Sequence, residues 1–250
     1  MHRMKHHGHP SKKELIAVSP DRSMRWNEAY QAWRKLYKDP GRTEYVFEII
    51  DALRGNADLR GLNRFRSSER GKKLLADRPQ ILPTLTDLST LETLPIESLG
   101  FTYAKFMREG EITASGLVQA SEKTPLYEGC PEDLLYFVTR RRDTHDLWHV
   151  VTGYGRDLRG EAALLAFDFA QNWHWGIGFI ALMAYLNAKG AADRRLLWNA
   201  FLAGRKTEWL TSAPWETMLV LPLAEVRALL NVSVAPKYDP LWSLTPSDAK

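Results

Sequence analysis

The sequence predicts an all-α protein, a single-domain helical bundle with a long central buried helix. Apolar residues recur at spacings of three and four along most of the chain, no stretch alternates apolar and polar residues between hairpin turns, and no internal repeat occurs. The 250 residues, 44% hydrophobic and 26% charged, suffice for one large core. No Gly/Ser/Pro-rich linker interrupts the interior. The expected organisation is a flexible His-rich head over 1–19, one helical domain over 20–235, and an irregular Pro-rich tail over 236–250.

Ser19-Pro20-Asp21 reads as a helix start, with Met24, Trp26, Tyr30, Trp33, Leu36 and Tyr37 as its apolar stripe up to Asp39-Pro40-Gly41. Thr43–Arg54 repeats Tyr45, Val46, Ile49, Ile50 and Leu53 at helical spacing. Gly55–Gly61 reads as a turn, and Leu62–Ala76 as a helix interrupted at Ser67-Ser68 and Gly71. Pro79 and Pro83 forbid a long helix, Leu85–Leu94 is short, and Ile96–Arg108 places Leu99, Tyr103, Phe106 and Met107 on one face. Gly110–Gly116 is a loop and Leu117–Tyr127 is weakly patterned. Cys130-Pro131-Glu132-Asp133 opens a helix expected to run through Arg140-Arg141-Arg142 and the histidine pair to Gly153 and Gly155.

Glu161 then begins an apolar run to Asn187. Ala162–Ala188 has the length of a membrane span, but Asp168, Gln171, Asn172, His174 and Asn187 argue for a central helix buried on most faces. Asp193–Ala203 and Leu223–Leu230 are further helices.

The net charge of +4 is spread along the chain rather than striped, so nothing points to nucleic acid, while an anionic membrane surface or acidic ligand is compatible. The single cysteine, Cys130, excludes an intrachain disulfide and a Cys-rich zinc ribbon, and reads as a small buried residue. The head MHRMKHHGHP holds four of seven histidines and is either a flexible tail or an adventitious metal binder. Without a signal-peptide core or transit segment, the expected location is cytoplasmic.

The chemistry concentrates in Thr144–Gln171. On a helix turning 100° per residue, His149 lies about 40° and Asp146 about 100° round from His145, so the three share one arc. Glu161 follows eleven residues after His149, beyond a Gly-rich break where a second helix can fold back. Two imidazoles and two carboxylates suit a divalent cation. The bland alternative is a packed or solvated helical histidine pair.

The motif HDLWHVVTGYGRDLRGE resembles the HDxxH-x11-E motif of the coenzyme Q (ubiquinone) biosynthesis protein four family. ADRPQIL, LPIESLGFTYAKFM, AFLAGRK and PWETMLVLPLAEVRALLNV resemble the same family in the same order, over roughly residues 20–235. The resemblance implies an all-helical protein acting on a polyprenylated benzoate or quinone precursor. It also implies work with other ubiquinone-biosynthesis proteins, peripheral contact with the cytoplasmic face of the inner membrane, and a homodimer. It implies Zn2+ held by His145, Asp146, His149 and Glu161, and the same donors would also accept Fe2+ or Mn2+. The implied reaction is loss of the C1 carboxylate from 4-hydroxy-3-methoxy-5-polyprenylbenzoate to give 2-methoxy-6-polyprenylphenol, alone or coupled to C1 hydroxylation.

A bound cation polarises such a carboxylate or holds the phenolate, and His145, His149 and Arg142 are the expected catalytic residues. Arg142, one turn before His145, either pairs with the substrate carboxylate or is a solvated arginine. Asp146 is the least certain ligand, because four ligands would close a zinc site. Asp168 lies about 10 Å along the axis from Glu161, too far to share its ion. With Asn172, it either lines the pocket or joins a buried network. Tyr154 donates a proton or packs. Phe167, Trp173, Trp175 and Phe179 form a prenyl groove or an aromatic core. Two other functions fit the residues: a non-catalytic prenyl-lipid-binding scaffold with a structural metal, and a helical His-Asp metallohydrolase of phosphate esters.

Overall fold

The computed structural model describes residues 23–110 and 130–242. The His-rich head, the start at Ser19-Pro20-Asp21, the loop and weak segment after Gly110, and the last residues of the tail lie outside the described residues. Among the described residues there are fourteen α-helices, and the only β pairing is an isolated bridge between Ser98 and Pro222. The all-α class is what the periodicity predicted.

Helices α1 (Trp26–Lys38) and α2 (Thr43–Ala52) form a hairpin. The expected turn over 55–61 is shorter than predicted. Helix α3 (Ala57–Ser67) already begins at Ala57 and runs through Gly61. Ser68 breaks the next stretch: its extended backbone ends α3, and its hydroxyl accepts from the Gly71 N–H at 3.0 Å to start α4 (Glu69–Asp77). Short helices α5 (Leu82–Thr86) and α6 (Leu88–Leu91) follow, the second capped by Asp87. Ser98 caps α7 (Leu99–Glu109) by accepting from the Phe101 N–H at 3.1 Å.

Two long helices of the sequence reading are each divided. The first becomes α8 (Glu132–Asp143) and α9 (His145–Thr152), parted at Thr144, whose hydroxyl donates to the Arg140 carbonyl. The predicted long central helix becomes α10 (Leu158–Asn172) and α11 (Trp175–Asn187). Trp173 adopts a left-handed φ of 50° there, its carbonyl accepts from Arg60, and His174 caps α11 by accepting from the Gly176 N–H. The expectation of burial on most faces holds for α10. It fails for the outer face of α11, where Leu182, Tyr185 and Leu186 are exposed.

Helix α12 (Ala191–Lys206) packs along α10. Buried Gln171 ties the two together, donating to the carbonyls of Gly204, Thr207 and Glu208 and accepting from the Leu210 N–H. After a 3-10 turn at Leu210–Ser212 come α13 (Trp215–Met218) and α14 (Leu223–Leu229). The main core gathers α7, α9, α10, α12 and the 210–232 region around Tyr103, Trp148, Phe167 and Trp215. Smaller cores join α3, α4 and α8, and α1, α2 and α11. Among the described residues, no helix is long and apolar enough to cross a membrane.

Candidate metal centre

Helix α9 is short and anchored at both ends. Gly153 ends it at φ +80°, a left-handed conformation that a side chain would strain. Its last carbonyls accept from the Arg227 guanidinium and from the Ala235 N–H. Helix α10 starts at Asp157, which accepts from the N–H groups of Arg159 and Gly160. The same carboxylate accepts from the Leu241 N–H at 2.9 Å and the Tyr238 hydroxyl at 3.0 Å. That hydroxyl also accepts from the Gly155 N–H, and the Leu158 N–H donates to the Leu241 carbonyl. The described part of the predicted irregular tail therefore latches the α9–α10 connection and fixes where Glu161 points.

Ligand atoms of His145, Asp146 and His149 lie within 4.8 Å of one another. Glu161 stands against both imidazoles, its Oε1 3.4 Å from His149 Nε2 and its Oε2 4.0 Å from His145 Nε2. His149 Nδ1 lies 2.9 Å from the Tyr154 carbonyl. A carbonyl only accepts, so Nδ1 carries a proton, and in the neutral ring Nε2 presents a lone pair. That Nε2 is buried, 3.4 Å from Glu161, and makes no hydrogen bond among the described residues. A buried, orphaned imidazole nitrogen facing carboxylates is what a ligand poised for a cation presents. The His149 side chain is 1% exposed, whereas His145 and Glu161 are 28% and 40% exposed, so the cluster opens to solvent on one side.

The charges are coupled. Burial disfavours the charged form of His149, but Glu161 and the Tyr154 carbonyl raise its pKa above the ordinary value. Burial and neighbouring His149 lower that of His145 despite Glu161, Asp146 and Asp168. Burial opposes ionisation of Glu161, yet the two histidines and Arg156 hold its carboxyl below the usual range. The two imidazoles are thus shifted in opposite directions, and an ion bound there would displace the protons they carry.

The other sequence candidates are distributed differently. Arg142 donates to Asp143 at 2.9 Å. Asp168 accepts from Asn172, which is also bound by Trp209 and Thr211, so this pair joins a polar network at the far end of α10. Tyr154 is buried and serves the site through its backbone carbonyl. Phe167, Trp173, Trp175 and Phe179 do not form one groove: Phe167 is core, Trp173 and Trp175 are exposed, and Phe179 packs on Trp26. Cys130 is partly buried beside the core of α3, α4 and α8.

Sequence reasoning missed Arg156, Tyr103 and the tail latch. Arg156 sits inside the motif, but only the packing of α7 against α9 shows what it faces. Tyr103 reads as one more apolar position on the α7 stripe.

The family model described as "Coenzyme Q (ubiquinone) biosynthesis protein Coq4" matches residues 29–236. A mitochondrial ubiquinone biosynthesis protein coq4 of Penicillium rubens is 32% identical over 68% of this chain and 59% of its own length. The Talaromyces stipitatus protein of the same name is 33% identical over 68% and 58%. The chain thus spans about three fifths of these fungal relatives. A Drosophila yakuba homolog is 27% identical over 90% of this chain and 82% of its own. A crystal structure from Nostoc punctiforme, of a protein assigned to ubiquinone biosynthesis, shares the fold with a TM-score of 0.60. It is 21% identical and is covered over 83% of this chain and 98% of that one. The chain belongs to the coenzyme Q (ubiquinone) biosynthesis protein Coq4 family.

Proposed function

We propose that the chain removes the C1 carboxylate of a 4-hydroxy-3-methoxy-5-polyprenylbenzoate at a divalent-metal centre held by His145, His149, Glu161 and Asp146. The observation that carries this reading is the convergence of two imidazoles and two carboxylates around the orphaned His149 Nε2. Zn2+ suits this donor set for a non-oxidative route, and Fe2+ or Mn2+ would suit an oxidative one. When bound, such a cation supplies Lewis-acid polarisation of an anionic oxygen.

The chain's own residues do the rest. The Tyr154 carbonyl orients His149, the Asp157 latch orients Glu161, and the Phe106 ring stacked on His149 at 5.8 Å excludes water from one side. Asp146, within 4.8 Å of both imidazoles, serves as a direct ligand or as the group that orients a histidine.

The apolar surface supports peripheral membrane contact. Trp26, Tyr30, Trp173, Trp175, Leu182, Tyr185, Leu186, Trp198 and Leu202 are exposed on α1, α11, α12 and the α10–α11 junction. Trp26 touches Phe179, and Trp173, Trp175 and Trp198 are linked through Phe169 and Phe201. Aromatic rings with one apolar and one polar edge suit the headgroup boundary where a prenylated precursor resides. The same face would also receive a second copy or other pathway proteins.

The phosphate-ester alternative is less well supported, because His174 sits in another cluster and brings no third imidazole to this centre. The test is carbon dioxide release from the prenylated acid by the purified, metal-loaded chain. Activity is expected in the wild type and lost in His149→Ala. Activity retained in that variant contradicts metal catalysis. Stoichiometric metal with no turnover favours the scaffold.

A further inference from the structure

Arg156 lies in the connection between α9 and α10. Its guanidinium carbon sits 3.8 Å over the Phe106 ring, and Nη2 lies 3.0 Å from the Met107 sulfur. Nε and Nη1 are buried and have no hydrogen-bond partner among the described residues. Asp146 and Glu161 favour its charge but neither accepts from it, while burial works against that charge. Beside it, the Tyr103 hydroxyl is fully buried and also without a partner among the described residues. Burial and the Asp146 charge raise the Tyr103 pKa, so the phenol keeps its proton and remains a donor.

Orphaned buried donors are costly, and two such groups next to one ligand cluster call for an acceptor. A cation–π contact and the thioether, which accepts from Nη2, hold the guanidinium in place without satisfying Nε or Nη1. The nearby carboxylates of Asp146 and Glu161 would repel a dianion such as phosphate more than a monoanion. We propose that Arg156 and Tyr103 form a subsite, beside the His145–Asp146–His149 cluster, that takes the carboxylate of the aromatic substrate. This inference rests on the substrate class proposed above. It assigns to Arg156 the role that sequence spacing offered to Arg142, which is paired with Asp143.

Gly110 provides a way to move Arg156 without deleting its charge, since a Cβ there would overlap Arg156 Nη1. The probe is 4-hydroxy-3-methoxybenzoate, compared with 2-methoxyphenol, which lacks the carboxylate. Binding is measured by titration calorimetry on the full chain, with and without metal. The wild type is expected to prefer the acid.

Arg156→Gln is expected to lose that preference by about tenfold or more, Gly110→Ala to lose much of it, and Tyr103→Phe to lose about threefold. Arg156→Lys should retain part of it. Melting temperature and metal content are expected to stay near wild type in each variant, which separates loss of the subsite from loss of fold.

The proposal is overturned if Arg156→Gln binds the acid as the wild type does, or if Arg142→Gln alone removes the preference. Phosphate competing as tightly as the acid also overturns it. An Arg156-dependent preference in a protein that never releases carbon dioxide would sustain the subsite while sinking the decarboxylation reading.

Discussion

Two regions of the molecule bury a histidine among charges, and they use it in opposite ways. On α9, His149 donates from Nδ1 to the Tyr154 carbonyl and turns Nε2 toward Glu161 at the start of α10. At the α10–α11 junction, His174 Nδ1 accepts from the Gly176 N–H, so Nε2 carries the proton. The neighbours differ in sign as well. Carboxylates dominate around His149, whereas at His174 burial, helped by Arg141, Arg54 and Arg60, outweighs Asp58 and pushes the imidazole down to about 4. The residue type does not decide the role. The nitrogen left over after local hydrogen bonding decides it, together with the sign of the charges that nitrogen faces.

The largest expected contrast is in metal binding. His149→Ala should lower divalent-metal affinity by more than about a hundredfold, beyond what loss of an outer-shell partner costs. His174→Ala should leave it near wild type. Titration of both variants with zinc checks this, and equal losses would erase the distinction between the regions.

Acid stability is next. The unfolded chain protonates His174 near pH 6.5 and the folded chain only near pH 4. Its neutral form is therefore fully compatible with the fold above about pH 6.5. As pH falls from there to about 4, about 3 kcal/mol of stability is lost. Denaturant melts at several pH values should show a shallower decline for His174→Gln than for the wild type over that window. Parallel curves would show that His174 is not held neutral.

Breaking the latch should have an intermediate effect. Asp157→Ala removes the α10 cap and the anchor for Tyr238 and Leu241, costing about 1–2 kcal/mol. It should also weaken metal binding by loosening Glu161. Thermal melts and metal titration read the two effects separately.

The smallest stability effect is expected at the apolar face. Leu186→Ser with Trp198→Ser should change stability by about 0.5 kcal/mol or less per site. Flotation with vesicles of mixed anionic and neutral lipids should show reduced binding.

The fold and the candidate ligand set were legible to different depths. Helical periodicity identified α1, α2, α7 and α12, because each presents one continuous apolar stripe to a core. The HDxxH spacing brought His145, Asp146 and His149 to one arc without help from tertiary structure. The break at Thr144 was not legible, since threonine carries no strong stop signal and the break is completed by a bond to Arg140. Trp173 was less legible still: its left-handed backbone is held by Arg60 and by rings from Phe169 and Phe201, which come from three separate helices. Arg156 and the tail latch depend on contacts across about fifty to eighty residues, where neither spacing nor propensity carries information.

The most direct measurement is metal stoichiometry in the full chain, with His2, His6, His7 and His9 of the head replaced by serine. One divalent ion per chain is predicted, lost in His149→Ala and retained in His174→Ala. An ion retained in His149→Ala, or no binding once the head histidines are gone, would contradict the assignment of the centre to α9 and α10.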